Sequence, residues 1–547
     1  MTRFAIRLLG FVCFCGCLFA FAGQQLAAGD DPILQAMRAE MDRSQGKLQL
    51  EQMAAPFYIE FRIVDMDTLA ADASFGALRT NLRTRVRFLR VVVRVGSYKQ
   101  DSFFGQGQGV VELVPVENDV MALRHLIWLT TDQAYKAATE ALSAKQAQLK
   151  QYHIDQPVDD FAHADPVQSI QPLVKLSLDA QPWLAMLQTV SGLYRSDPEI
   201  EAFTANLGFQ AINRYFMNSE GTVVRSGQTL YEMTMVAATQ ASDGMPLERS
   251  WDYLFSDSKE LPSAKAFLSR GKSLRDSLKD LRTAPIPEEE YRGPVLFSAD
   301  AASSVFLQLV GRNVLGLKPP PGKPARTTGA WATDFKSRVL PEFLSVVDDP
   351  TIQSIGGKSL IGHYEVDDEG VEARKVSLIA NGKLENYLVG REPIRDFPMS
   401  NGHGRAQVPM NFPGPSLGNL IVTSSQNFSA DELKQKLIEL CRQRDLPYGY
   451  YVETMGPYLT PRLFYKVYAS DGHQELVRGA SFGDLDVRAL RNGLIAAGND
   501  INVESHSLNI PHSVANPSIL FDELEVKPAN SDKETLPEYP APAIKGQ

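Results

Sequence analysis

With 547 residues and 44% hydrophobic side chains, the chain can bury large cores, and its length favours two or three domains over one. That composition excludes a disordered or fibrous protein. Acidic side chains outnumber basic ones 65 to 55, for a net charge of −10, and no basic block interrupts the sequence, which argues against general binding to a phosphate backbone.

Residues 1–22 place Arg3 and Arg7 before an apolar run from Leu8 to Ala22, ending Ala20-Phe21-Ala22 ahead of Gly23. About fifteen apolar residues with a small-x-small end fit a cleaved signal peptide and are short for a membrane span. Export to the periplasm or envelope is therefore expected, with an uncleaved anchor as the alternative. Cys17 makes a poor lipoprotein box because the usual leucine is missing. Cleavage leaves 53 basic against 65 acidic side chains, a net charge of −12. It also removes Cys13, Cys15 and Cys17, so Cys441 remains alone and neither an internal disulfide nor a thiolate cluster is available. Within Leu437-Ile-Glu-Leu-Cys-Arg, Cys441 reads as a small core residue on a helix face.

Asp30-Asp31-Pro32 marks a helix start, and the spacing of Leu34, Met37, Met41 and Leu48 predicts an amphipathic helix over 33–52. Residues 57–64 and 86–95 are β-branched and aromatic with partial alternation, the pattern of strands in a sheet with one wet face. Helices are predicted over 132–152, over 182–195 with Pro182 in the first turn, and over 263–281. Asn218-Ser-Glu-Gly221 separates two alternating apolar runs as a hairpin turn. Pro285-Ile-Pro287 followed by three glutamates divides an α+β region, 30–287, from a mostly β domain, 288–526. The tail, 527–547, holds several prolines and few core-forming residues, so disorder is expected.

In the second domain, 293–316 reads as a short apolar strand followed by an apolar helix, and 318–328 as a proline-rich loop. Strands are predicted over 359–366 and 374–380, with Asn381-Gly382 as a type I′ hairpin turn. Ser429-Ala-Asp-Glu432 is a capping box opening a helix through Cys441. Residues 464–469 and 474–478 form a hairpin around Ser470-Asp471-Gly472.

An ordered series of segments resembles the TldD/PmbA family, metallopeptidases once called modulators of DNA gyrase. It comprises Gly293-Pro-Val-Leu-Phe297; Phe343-Leu-Ser-Val-Val-Asp-Asp-Pro350; Tyr364-Glu-Val-Asp-Asp-Glu-Gly370; Leu378-Ile-Ala-Asn-Gly-Lys-Leu-Glu-Asn-Tyr387; Asn401-Gly-His-Gly-Arg405; Leu476-Val-Arg-Gly-Ala480; and Gly498-Asn-Asp500. Asn218-Ser-Glu-Gly-Thr222 fits the family's hairpin, while the rest of the first domain matches loosely. The resemblance implies an α+β, two-domain architecture, with an N-terminal α/β sheet domain and a β-rich, barrel-like C-terminal domain.

Active relatives hold zinc through a His-Glu-x-x-x-His helix and a late cysteine, the glutamate serving as base for the metal-bound water. The matching positions here are Leu307, Gln308 and Arg312, and 499–511 contains no cysteine. Leucine donates nothing to a metal, glutamine is no base, and arginine is a permanent cation. The resemblance therefore implies no catalytic residue, no resident metal or cofactor, and a non-catalytic role as partner or peptide-binding member of a metallopeptidase assembly. It also implies a homodimer or a heterodimer with a paralogue. The alternatives are a divergent active peptidase whose metal has moved and a stand-alone envelope binding protein.

Glu504, His506 and His512 are the candidates for a relocated metal, against the plainer reading of solvated loop residues. His363 reads as a packed or edge histidine on a strand. Asp367-Asp368-Glu369-Gly370 reads as a turn in preference to a cation site, with Gly370 supplying positive φ. Gln308 and Arg405 are the candidates for holding a peptide, Arg405 because the resembling loop borders a peptide channel. Gly479-Ala-Ser-Phe-Gly483 matches a nucleophile-elbow spacing around Ser481, but the chain lacks the alternating strands and helices of a hydrolase sheet.

Overall fold

In the computed structural model, residues 31–539 are described apart from 50–52, 153–156, 196, 288, 321, 324, 408–411, 507–508, 530–532, 536 and 538. The export segment and the end of the tail lie outside the described residues. Chain folding begins with α1 (Pro32–Lys47), whose first backbone N–H groups, at Ile33 and Leu34, donate to the Asp31 carboxylate. This N-cap with a proline in the first turn satisfies donors that the helix cannot satisfy itself.

The first region then runs β1 (Pro56–Ser74), β2 (Ala77–Val95), β3 (Val110–Leu113), α2 (Val120–Gln151), β4 (Gln168–Ile170), α3 (Gln181–Gly192), β5 (Ala202–Asn218), β6 (Val223–Gln240), β7 (Pro246–Phe255) and α4 (Ala264–Thr283). Its sheet has the order β3-β2-β1-β5-β6-β4, with β7 also pairing to β6. One core lies where α1 and α2 cover β1 and β2, around Phe61, Leu89, Val91 and Tyr135. A second lies where α3 and α4 cover β5 and β6, around Phe203, Phe209, Met235 and Phe267.

β1 and β2 extend well past the apolar runs at 57–64 and 86–95. The added length is polar, held by carboxylate–guanidinium pairs across the hairpin. Asp65 takes both Arg85, at 2.8 Å, and Arg87, at 2.6 Å. Asp67 takes Arg83 at 2.8 Å, and Asp72 takes Arg79. Opposite charges facing each other across strands stabilise pairing that apolar alternation alone does not reveal.

The second region runs β8 (Tyr291–Phe297), α5 (Ala299–Val305), β9 (Leu344–Asp348), β10 (Ser354–Ile355), β11 (Lys358–Ser359), β12 (Val376–Ala380), β13 (Lys383–Leu384), β14 (Gly404–Arg405), β15 (Gly414–Pro415), β16 (Asn419–Ser424) and α6 (Ala430–Gln443). It closes with β17 (Tyr448–Met455), β18 (Pro461–Tyr468), β19 (Gln474–Val477), β20 (Ala480–Phe482), α7 (Val487–Asn492), β21 (Leu494–Ala497), β22 (Asn502–His506), β23 (His512–Asn516) and β24 (Ile519–Pro528). Two large sheets result, β13-β12-β9-β16-β23-β22 and β19-β18-β17-β8-β24-β20, with β21 on β24. Their shared core includes Val295, Phe306, Leu344, Leu378, Leu420, Tyr450 and Phe521.

Local signals account for several of these elements. Ser429 and Glu432 cap α6 reciprocally, and Asn381 and Gly382 turn the β12–β13 hairpin at φ 47° and 77°. Cys441 is fully buried on α6, as a small core residue should be. The strand expected over 359–366 does not form: Lys358 and Ser359 pair with Ser354 and Ile355, and Val366 makes a single bridge to Glu372. Beyond them the backbone bonds go elsewhere, from Leu360 N–H to Gln353 O, Ile361 N–H to the Ser513 hydroxyl and Tyr364 N–H to Pro350 O. This tethered segment carries His363 in irregular backbone just after a turn at Ile361 and Gly362, and not on a strand. At the other end, β24 continues through Lys527 and Pro528, and Glu534 N–H donates to Gly244 O.

Candidate functional site

The segment corresponding to the protease motif begins where Ser298 caps α5, its hydroxyl accepting from Ala301 N–H at 3.0 Å. α5 passes directly into a π turn over Phe306–Gly311. An ordinary α-helix aligns residues four apart, whereas the widened turn aligns residues five apart. Leu307 and Arg312 thus share a face. Leu307 packs on the edge of the main core, Gln308 is half-buried and Arg312 is exposed.

A cleft of about 390 Å³ lies between the two regions. One wall is the stretch Val224–Thr229 of β6 with Arg214 of β5; the other is the irregular segment 359–366 with Asp368 and Arg405. β6 is paired on its outer side by β4 only through Arg225 and by β7 only from Tyr231 onward. Among the described residues Ser226–Leu230 therefore has no strand partner on that side, and four of those five residues line the cleft. Gln228 joins the walls: its amide nitrogen donates to Ile361 O at 3.2 Å while its oxygen accepts from Arg214 at 3.2 Å.

Arg405 lies on β14 with its guanidinium 4.3 Å from the centre of the Tyr364 ring. Its Nε is 3.6 Å from an Asp368 oxygen, and its terminal nitrogens reach Leu417 O at 3.4 Å and Pro511 O at 3.5 Å. The loop presenting it is held by the acidic turn. Asp367 accepts N–H bonds from Glu369 and Val371, each at 2.9 Å, and from Gly404 at 2.8 Å; Asp368 accepts from Ala406 at 2.8 Å. Gly370 has φ +78°, and a Cβ there would stand 2.6 Å from the Phe216 ring, so glycine is required on both counts. His363 lines the same cleft, its Nδ1 bonded to Pro350 O at 2.8 Å. Gln308 and Ser481 do not line it; Ser481 sits on β20 beside β24.

Comparison with known proteins places this geometry. Residues 290–528 match the family described as PmbA/TldA metallopeptidase C-terminal domain. The second region is thus a TldD/PmbA-type C-terminal domain. A metalloprotease of Methanocaldococcus jannaschii is 26% identical over 215 residues, covering 39% of this chain and 44% of that one. A metalloprotease of Archaeoglobus fulgidus is 29% identical over 108 residues, 20% of this chain and 23% of that one. The matched segments thus span less than half the length of these relatives. In solved structures the TldD/PmbA fold extends further along the chain. TldE of Thermococcus kodakarensis superposes with a TM-score of 0.58 at 13% identity, covering 90% of this chain and 99% of that one. A protein of Thermotoga maritima named as a modulator of a DNA gyrase gives 0.58 at 14% identity, covering 86% and 96%.

The zinc of active TldD/PmbA relatives does not fit the residues at the motif. Although the π turn aligns positions 307 and 312, these carry a hydrocarbon and a guanidinium, and Gln308 cannot accept a proton from a bound water. The late candidates lie on β22 and β23, which pack against α5. β22 and β23 pair antiparallel with His506 opposite His512, and the two rings stack at 5.5 Å. His512 Nδ1 is bonded to Ile510 O at 2.8 Å. The Nε2 atoms of both rings are buried without a hydrogen-bond partner among the described residues. Burial pushes His506 down to about 4 and lowers His512 as well, so both imidazoles are neutral at pH 7.

Glu504 lies 3.8 Å from His506, and burial together with the neighbouring Asp300 carboxyl pushes it up to about 8. Two acids sharing one site retain a proton between them. Among the described residues no group of three or more His, Cys, Asp or Glu side chains is placed to hold a metal ion. Sequence reasoning singled out Arg405 but not Arg214 or Gln228, whose only signal was a polar side chain within an otherwise apolar strand pattern.

Proposed function

We propose that this protein is an exported, non-catalytic member of a TldD/PmbA-type assembly that holds an extended peptide between its two regions. The observation carrying this reading is the motif helix, which keeps the widened turn that an i, i+5 ligand pair requires while presenting Leu307, Gln308 and Arg312 there. The open side of β6 at Ser226–Leu230, inside the cleft, supports peptide binding by strand addition, in which main-chain hydrogen bonds supply affinity. Its expected partner is a second copy or a motif-bearing paralogue, and its expected location is the periplasm or envelope after cleavage following Ala22.

Metal analysis by mass spectrometry together with a peptide-library cleavage assay tests the central point: the purified protein is expected to contain no stoichiometric zinc and to leave the library intact. A second reading, a peptidase whose metal has moved, is favoured by the buried Nε2 atoms of His506 and His512, which have no hydrogen-bond partner among the described residues. One equivalent of zinc, with cleavage abolished by replacing Glu504, His506 or His512 with Ala, would establish it and overturn the first.

A further inference from the structure

Arg214 and Arg405 line the cleft from opposite walls as electrostatic neighbours. Arg214 projects from β5 at the position paired with Ser226, where β6 loses its outer partner. Its only side-chain hydrogen bond among the described residues is the neutral one to Gln228. Arg62 and Arg405 are its cationic neighbours and Asp368 its acidic one. The Asp368 carboxylate is already engaged by Ala406 N–H and by Arg405 Nε. The other acids lining the cleft are engaged as well, Glu365 by the Ser169 hydroxyl and Asp257 by Lys259 N–H. Arg214 is half-buried and lines the cleft, so its guanidinium, given a single amide oxygen and a second cation nearby, is open to an anion entering there. Burial accordingly lowers the pKa of Arg214.

Resting on the peptide-binding reading above, we infer that Arg214 and Arg405 form a carboxylate-binding subsite where β6 becomes unpaired, so that the cleft selects peptides presenting a carboxylate at this end. An arginine fork pairs with a carboxylate in two parallel hydrogen bonds, a geometry that neither an amide nor a backbone carbonyl can match. A strand lying along Ser226–Leu230 would bring its terminus, or an acidic side chain, to Arg214. The carboxylate has these two sources, and the experiment separates them.

The immobilised full chain is equilibrated with four equimolar random pentapeptide pools: free acids and C-terminal amides, each with and without Asp and Glu. Retained peptide is measured by mass spectrometry. Free acids lacking Asp and Glu are expected to be retained about tenfold over their amides if the C-terminal carboxylate is bound. Amides containing Asp or Glu are enriched to the same degree if a side chain supplies the carboxylate. Either preference should fall about tenfold in R214Q and in R405Q and recover in part in R214K, which restores charge without the fork. Equal retention of neutral amides and free acids overturns the carboxylate subsite while leaving peptide binding intact. Retention of no pool overturns both. Should a variant fail to fold, the comparison of pools on the unaltered protein still decides.

Discussion

Arg391 is fully buried and joins the two regions that form the cleft, so its removal should be among the costliest substitutions in the chain. Its guanidinium pairs with Glu220 through two contacts of 2.7 Å and donates twice to Ala162 O, at 3.0 and 2.7 Å. The Phe161 ring centre lies 4.0 Å away, and the Arg391 backbone N–H donates to Glu369 at 2.6 Å. In R391M the aliphatic stem is kept, but Glu220, only 8% exposed, loses its counter-ion. Breaking a buried pair by removing one partner costs about 3–5 kcal/mol, because the surviving charge stays in low dielectric. The double variant E220Q/R391M should recover about half of that loss, since the Tyr98 hydroxyl remains to engage the neutral amide. Urea unfolding, followed by circular dichroism and by tryptophan fluorescence, measures both variants. A loss below about 1 kcal/mol in R391M, or no recovery in the double variant, would refute the argument that an uncompensated charge sets the cost.

Three further outcomes are expected. Glu504 has a folded-state value near 8, above its ordinary carboxylate value, so its contribution to stability is present at low pH and lost as pH rises from about 4.5 to about 8. E504Q should remove that loss, worth about 1–2 kcal/mol for a side chain still 27% exposed, and flatten stability between pH 5 and pH 8; parallel pH profiles for the two proteins would contradict this. Because the π turn already aligns the positions, L307H/Q308E/R312H should gain about one zinc per chain by mass spectrometry, and an unchanged metal content would show that the turn does not bring its side chains together. G382A forces an alanine into φ +77° with its Cβ 2.2 Å from Leu340 O, so a loss of about 1–3 kcal/mol is expected in thermal unfolding, and an unshifted midpoint would argue against strain.

What the sequence by itself determined were features whose causes are local. Asp31 with Pro32, Ser429 with Glu432, and Asn381-Gly382 each satisfy a backbone requirement within a few residues, and each formed where its pattern stood. The vacant motif was equally legible, because the identities of Leu307, Gln308 and Arg312 decide their chemistry wherever the chain places them. Tertiary structure decided the rest. The polar halves of β1 and β2 are strands only because Asp65, Asp67 and Asp72 meet arginines across the hairpin. Residues 359–366 lose their strand because Gln353, Ser513 and Pro350 take their backbone bonds. Arg214 and Arg405, 191 positions apart, share a cleft only through the packing of one region on the other. Burial and long-range pairing depend on which surfaces meet, and no short stretch of sequence encodes that meeting.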